Sequence, residues 1–195
     1  MTCDLYYAPI SSPCRAVMLT AEAIGLSLNY KPINTIADEQ LDSDYSEINS
    51  IKIIPLLIDG DYELSEGPAI MCYLMDMYGE NSQLYPKSIN ARALVHQRLH
   101  FDIGNLHKAV SLYYYPVALK KELEYDETKY ERLKDRFATL DKYLEGHDYA
   151  TGRYLTIADL ALIASVTTAE VILEKSVTSL LQVLEALLEL PLPTY

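Results

Sequence analysis

Along the first eighty positions the apolar residues fall into short runs of two alternating kinds. Residues 4–8 (DLYYA) form an apolar, aromatic run closed by Pro9, the pattern of a strand. Ser11, Ser12 and Pro13 then set a serine at a helix N-cap and a proline in the first turn. Ala16, Val17, Leu19, Thr20, Ala21 and Ile24 follow on one predicted helix face, which Gly25 ends. Residues 28–33 predict a second strand and 42–48 a short helix. Residues 53–59 and 62–65 flank Gly60-Asp61 as a hairpin. Residues 67–78 predict a helix with Pro68 early and Gly79 at its end.

The order β-α-β-α-β-β-α, two parallel strands joined by a crossover and then a hairpin, predicts a thioredoxin-like α/β domain. After Gly79 the period changes. Residues 81–87 are a polar linker, and everything beyond is helical. Residues 88–119 predict one long helix. In the helix predicted over 127–145, Tyr130, Leu133, Phe137, Leu140, Tyr143 and Leu144 share a face. Thr156 and Asp159 form a capping box opening a helix over 157–172. That helix has no polar stripe and is expected at the centre of its domain. A last amphipathic helix is predicted over 177–189. The expected organisation is a domain over 1–80, a linker over 81–87 and an all-α domain over 88–195.

Composition narrows the partners. The chain has 195 residues, half of them hydrophobic, with 28 acidic and 16 basic groups and a net charge of −12. Such a balance suits a globular protein and argues against binding nucleic acid or anionic lipid, both of which need clustered Lys and Arg. The acid is uneven: residues 1–79 hold twelve acidic groups against Arg15, Lys31 and Lys52. Cys3, Cys14 and Cys72 have no disulfide or zinc spacing. His96 and His100 share a helix face without a third ligand, so no metal is expected. No secretory leader is legible at the N-terminus, and the greasiest stretch, 155–166, is too short to span a bilayer. The expectation is a cytoplasmic protein.

Five segments carry a family resemblance: LYYAPISSPCRAVMLTAEAIGL (5–26), IIPLLIDGDYELSEGPAIMCYL (53–74), LYPKSINARALVHQRLHFDIG (84–104), YYYP (113–116) and LEGHDYATGRYLTIADLALIASV (144–166). In order and spacing they resemble the cytosolic glutathione transferases, specifically the insect delta and epsilon classes. The resemblance implies the glutathione transferase fold: a thioredoxin-like domain that binds glutathione as co-substrate, and an all-helical domain supplying the electrophile pocket. It also implies a homodimer. Glutathione reacts as its thiolate, and a hydroxyl donor near the positive end of a helix favours the anion. The family's P-G-S-A-P-C-R reads Pro9-Ile10-Ser11-Ser12-Pro13-Cys14-Arg15 here, which gives Ser11 that role and makes Ser12 an adjacent donor. Ile54-Pro55 matches the position whose backbone pairs with the cysteinyl part of glutathione and whose proline is cis. Glu66 matches the residue that meets the γ-glutamyl ammonium.

Departures from the pattern are concentrated on charge. The family's N-P-Q-H-T-I-P is Asn49-Ser50-Ile51-Lys52-Ile53-Ile54-Pro55, so Lys52 stands for the histidine facing the glycyl carboxylate. Gln40 occupies an upstream histidine position. The family's E-S-R is Glu66-Gly67-Pro68, which removes a hydroxyl and an arginine and leaves the Gly67 N–H at a helix start. Weakened glutathione binding is expected. Arg15 is read as a structural group and Cys14 as a packed thiol.

For the electrophile, Ile103, His107 and Tyr115 are expected to line the pocket together with Ser12 and Pro13. Tyr113 and Tyr114 lie near it, and His107 is not read as a base. The chain ends at Tyr195 without tryptophan, and a more open pocket is expected from that short tail. Two functions remain: conjugation of glutathione to small hydrophobic electrophiles in detoxification, and a nearly inactive transferase-fold protein that binds ligands or partners.

Overall fold

The computed structural model describes residues 3–80, 83–118 and 124–173. The chain divides into two compact units, residues 1–82 and 83–195.

In the first unit β1 (Cys3–Tyr7), α1 (Ser12–Ala23), β2 (Leu28–Pro32), a 3-10 turn (Glu39–Leu41), α2 (Ser43–Ile48), β3 (Leu56–Asp59), β4 (Tyr62–Ser65) and α3 (Gly67–Met77) follow in that order. The four-stranded sheet runs β2-β1-β3-β4. β1 is parallel to β2, with Leu5 beside Tyr30, and antiparallel to β3, with Leu5 beside Leu57. β4 returns antiparallel to β3 through Gly60, whose φ of 61° suits a tight hairpin turn. Parallel β1 and β2 need the α1 crossover, and the hairpin needs only the turn; this is the thioredoxin-like arrangement. α1 packs on α3. Leu5, Val17, Leu57, Ile70, Met71 and Leu74 are fully buried and form this unit's core.

Two local expectations are corrected. β3 begins at Leu56, not at Ile53, because Pro55 has no N–H to enter a ladder. Leu19 is 39 % exposed and lies off the buried α1 face, which consists of Ser12, Cys14, Ala16, Val17, Thr20 and Ala21.

The second unit is helical: α4 (Ile89–Phe101), α5 (His107–Ala118), α6 (Glu127–Leu144) and α7 (Ile157–Leu173). The predicted single helix over 88–119 is interrupted by a π-helical turn, Asp102–Leu106. α7 packs on α4 and α5, and its residues from Ile157 to Val166 are all buried, as a helix without a polar stripe requires. Leu133 and Leu140 of α6 are fully buried, with Tyr130, Phe137, Tyr143 and Leu144 packed around them. At the α7 start the Asp159 carboxylate accepts from the Thr156 N–H (2.8 Å), the Thr156 hydroxyl (3.0 Å) and the Ala150 N–H (2.8 Å). The hydroxyl therefore serves the carboxylate, and Asp159 ties a loop as well as a helix end. The last predicted helix and the tail lie outside the described residues. Among the described residues no helix is long and apolar enough to cross a membrane.

Candidate functional site

Sheet register gathers the sequence candidates of the first unit at one end. Tyr6, next to last in β1, lies beside Leu56, the first residue of β3, and Leu56 lies beside Ser65, the last residue of β4. The loop carrying Ser11, the segment Ile54-Pro55 and the pair Glu66-Gly67 therefore leave the sheet at the same edge.

Ser11 is the N-cap of α1 in extended geometry (φ −79°, ψ 114°). Its Oγ accepts from the Cys14 N–H at 3.4 Å, a long cap bond at the helix's positive end. Arg15 donates to the Pro9 carbonyl at 2.8 Å and so braces the turn that presents Ser11. The buried Cys14 thiol is pushed above its ordinary value by desolvation, against hydrogen bonds from Ser11 and the Ala8 backbone and the Arg15 charge. A thiol held protonated is not a nucleophile. Ser12 is 1 % exposed, with its hydroxyl inside the unit.

The Ile54–Pro55 bond is cis. Among the described residues neither the N–H nor the C=O of Ile54 has a partner. One residue earlier, the Ile53 carbonyl accepts from the Tyr45 hydroxyl (2.6 Å) and from Asn49 Nδ2 (2.6 Å), and Asn49 also donates to Tyr45 at 3.0 Å. This buried clamp fixes the direction in which the Ile54 backbone points. The sequence reading missed Tyr45 and Asn49; an asparagine and a tyrosine at i and i−4, just ahead of I-I-P, were the available signal.

Glu66 precedes α3 with φ 73° and ψ 106°, a left-handed conformation that costs a residue with a Cβ about 1–3 kcal/mol. Its side chain is exposed and its carbonyl accepts the Ile70 N–H at 3.0 Å. Gly67 is buried, and a Cβ built there would meet Pro13 Cβ at 3.0 Å and Pro13 O at 3.3 Å. Pro13 and Gly67 thus touch, joining the Ser11 turn to the α3 start. Pro68 removes one N–H from that helix end, and the Gly67 N–H remains.

Lys52 is exposed and also left-handed (φ 55°), held by its N–H to the Asn49 carbonyl at 3.0 Å. Gln40 lies on the 3-10 turn and donates to Asp38 at 3.2 Å, while its Oε1 is buried without a partner. This end therefore offers two helix starts, the backbone N–H and C=O of half-buried Ile54, one carboxylate and one amine. That donor set suits a zwitterionic peptide with a thiol.

Residues 1–76 match the family model of the glutathione S-transferase N-terminal domain, and residues 104–191 that of the C-terminal domain. A delta-class glutathione transferase of Nilaparvata lugens is 39% identical, with a TM-score of 0.85 over 93% of this chain and 84% of that one. The chain belongs to the glutathione transferase family. It is an enzyme, a glutathione S-transferase with glutathione as co-substrate. Glutathione transferase E6 of Drosophila melanogaster is 30% identical at a TM-score of 0.90, covering 97% of this chain and 88% of that one. A glutathione transferase homolog of Drosophila mojavensis with bound glutathione is 28% identical at 0.86, covering 95% and 85%.

In the helical unit of this transferase, Ile103 is half-buried in the π-helical turn, and His107 and Tyr115 are half-buried on α5. Ser111 Oγ lies 3.3 Å from His107 Nε2 and donates to the His107 carbonyl at 2.8 Å. Tyr113 turns into the core, stacked on Tyr125 at 4.8 Å. Asp102, which opens the π-helical turn, is 5 % exposed, with a hydrogen bond from Ser165 and Oδ1 unpartnered. Burial lifts its carboxyl to about 7. Its only trace in the sequence is an acid set between the apolar Phe101 and Ile103.

Proposed function

We propose that this transferase joins the glutathione thiolate to small hydrophobic electrophiles, with Ser11 as the donor to sulfur and with weakened glutathione binding. The reading assigns the cysteinyl backbone to Ile54, beside Pro55, the γ-glutamyl ammonium to Glu66, the γ-glutamyl carboxylate to the Gly67 N–H, and the glycyl carboxylate to Lys52 and Gln40. Pro13, Ile103, His107 and Tyr115 line the electrophile side, and Ser12, expected there as well, is left out of it by its burial. The protein works in the cytoplasm as a homodimer, with the domains at 1–80 and 88–195 dividing co-substrate from electrophile, and its role is detoxification.

The observation that carries this reading is the convergence of Ser11, the unpartnered Ile54 backbone and Glu66-Gly67 at one sheet edge. The Ser11 hydroxyl lowers the thiol pKa by donating to the anion, and each unit lowered is about 1.4 kcal/mol. Weak binding follows from the missing hydroxyl and guanidinium. Hydrogen bonds to charge contribute about 1.5–3 kcal/mol each, so partial replacement costs roughly 10²–10³-fold in affinity. The surplus of acid in residues 1–79 opposes an anionic tripeptide as well.

The test is conjugation of glutathione to a chloronitroaromatic electrophile, with calorimetric titration of glutathione. Ser11→Ala is expected to lower kcat about 10²-fold or more, the usual loss for one donor to a developing anion. Full activity in Ser11→Ala rejects the donor. A dissociation constant in the low micromolar range rejects the weakened site, and an inactive wild type rescued by Pro68→Arg favours the ligand-binding alternative.

A further inference from the structure

At the end of the sheet opposite Ser11 and Ile54, one carboxylate holds two phenols. Asp59 is the last residue of β3 and pairs with Tyr62, the first of β4. Its Oδ2 accepts from the Tyr73 hydroxyl of α3 at 2.8 Å and from the hydroxyl of Tyr78, the C-cap of the same helix. The thiol of Cys3, fully buried at the start of β1, donates to the Tyr78 oxygen at 3.6 Å. On the other side the Tyr62 ring lies 5.1 Å from the Tyr73 ring, inclined at 36°. Tyr62 is 50 % exposed, while Tyr73 and Tyr78 are half-buried. Tyr62, Tyr73, Asp59, Tyr78 and Cys3 thus make one line from solvent to a buried thiol.

The carboxylate staples the end of α3 to the hairpin, and its protonation state gives it a second capacity. The Tyr78 and Tyr73 hydroxyls hold the Asp59 carboxyl below its usual range. Asp59 in turn pushes Tyr73 up to about 12 and raises Tyr78 as well. Near neutral pH the line therefore holds an ionised carboxylate and two intact phenols. A phenol that loses an electron becomes a strong acid, and the loss is easiest where a base already accepts its hydrogen. Tyr73 and Tyr78 meet that condition. The chain has no tryptophan, so its tyrosines are the aromatic groups that an oxidising radical can address.

We propose that the line Tyr62–Tyr73–Asp59–Tyr78 is a radical relay, by which an oxygen-centred radical of the peroxyl class is reduced at Tyr62 and the oxidised site moves inward to the phenol pair. The peroxyl radical takes the hydrogen atom of the Tyr62 hydroxyl and becomes a hydroperoxide, leaving a phenoxyl radical on Tyr62. An electron crosses from Tyr73 to that ring. Tyr62 takes a proton from water, and the Tyr73 proton moves along its hydrogen bond to Asp59 Oδ2. Asp59 returns a proton through solvent to the hydroxide, so the net result is one phenoxyl radical, now on Tyr73. Tyr78 exchanges with it by giving its own proton to Oδ2 as Tyr73 takes one back. Exposed phenoxyl radicals couple between molecules to dityrosine, and half-buried ones are kept from that partner. A small thiol in solution restores the phenol by giving up a hydrogen atom and becomes a thiyl radical.

The experiment exposes the full chain, as wild type, Tyr62→Phe, Tyr73→Phe and Asp59→Asn, to a water-soluble azo initiator that releases peroxyl radicals at a fixed rate. Dityrosine and oxygenated tyrosine are located by peptide mapping, with a thermal melt of each variant. Tyr73→Phe is expected to raise cross-links at Tyr62 about fivefold or more, because the radical no longer drains inward. Asp59→Asn keeps an acceptor oxygen but is a far weaker base, and should give the same rise. Tyr62→Phe should lower oxygenated products on Tyr73 and Tyr78 about fivefold. Unchanged cross-links at Tyr62 in folded Tyr73→Phe, or products on Tyr73 and Tyr78 that persist in Tyr62→Phe, overturn the relay and leave Asp59 as a staple. If Asp59→Asn does not fold, the two phenylalanine variants decide the matter by themselves.

Discussion

Replacing Asp102 by asparagine is expected to stabilise the helical unit above neutral pH and to lose that advantage in acid. The carboxyl is 5 % exposed, Ser165 donates to it, and Oδ1 has no partner. Burial raises it to about 7, against about 3.9 in an unfolded chain. The folded chain thus keeps this proton until the pH nears 7, while the unfolded chain releases it from about pH 4. Below that both states are protonated and nothing is lost. Between the two values stability falls as pH rises, and above pH 7 the loss is complete. Three units at about 1.4 kcal/mol each give about 4 kcal/mol.

Asparagine does not titrate, but its amide brings N–H groups into the same poor surroundings, at about 1–3 kcal/mol. The variant should therefore be the less stable protein in acid and the more stable one near pH 8.5. Urea unfolding followed by far-UV circular dichroism, at steps from pH 5.5 to 8.5, reads the difference between the two stability curves. That window holds about 2 kcal/mol of the change. Curves that stay parallel would show that the carboxyl ionises equally in both states, and would refute the burial argument.

The remaining predictions test the helix cap and the two ends of the α3 junction. Asp159→Ala strands the Ala150 and Thr156 N–H groups and the Thr156 hydroxyl; about 3–5 kcal/mol should be lost, with Tm lower by roughly 10 °C in a melt, and Asp159→Asn should lose less. Glu66→Gly relieves the backbone at φ 73° and should raise stability by about 1 kcal/mol after glycine's entropy cost, while raising the KM for glutathione. Pro68→Arg should tighten glutathione about tenfold by calorimetry, through a new charge and a recovered N–H. Gly67→Ser must displace Pro13, since its Cβ falls 3.0 Å from Pro13 Cβ, and should cost about 1–3 kcal/mol in chemical denaturation despite the added hydroxyl.

Much of the architecture was legible because it is written locally. The strand–helix alternation, the Ser11 cap, the Gly60-Asp61 hairpin, the apolar α7 and its Thr156–Asp159 start each rest on residues within one or two turns of one another. What escaped depends on partners that the apolar period does not announce. The π-helical turn at Asp102–Leu106 is anchored on Ser165, sixty-three positions later in the chain, and an apolar period with one acid in it gives no notice of that. The Tyr45–Asn49–Ile53 clamp joins residues that look like an ordinary amphipathic helix and a loop. Gly67 was read as a lost serine; its contact with Pro13 shows that it also fills a packing role, which follows only once α1 and α3 meet. The candidate residues themselves were found through resemblance, and periodicity alone would have left Ser11 as a cap and Pro55 as a strand opening.

The backbone and the side chains of the glutathione edge have diverged to different degrees. Among the described residues three non-glycine residues are left-handed, Asp38, Lys52 and Glu66, and two of them are proposed contacts. A residue with a Cβ stays in that region only where its surroundings over-determine it. For Lys52 these are its own bond to Asn49 and the Tyr45–Asn49 clamp on Ile53; for Glu66 they are the Leu56–Ser65 pairing, the Ile70 N–H and the Gly67–Pro13 contact. The departures from the family pattern at Gln40, Lys52, Gly67 and Pro68 remove or move charge and hydroxyls while these supports remain. A cradle whose shape is set by backbone and core, and whose deficit is charge, should respond to charge alone. The Pro68→Arg variant should therefore lower the dissociation constant without changing the melt by more than a degree or two, and a gain that came only with refolding of the α3 start would contradict that division.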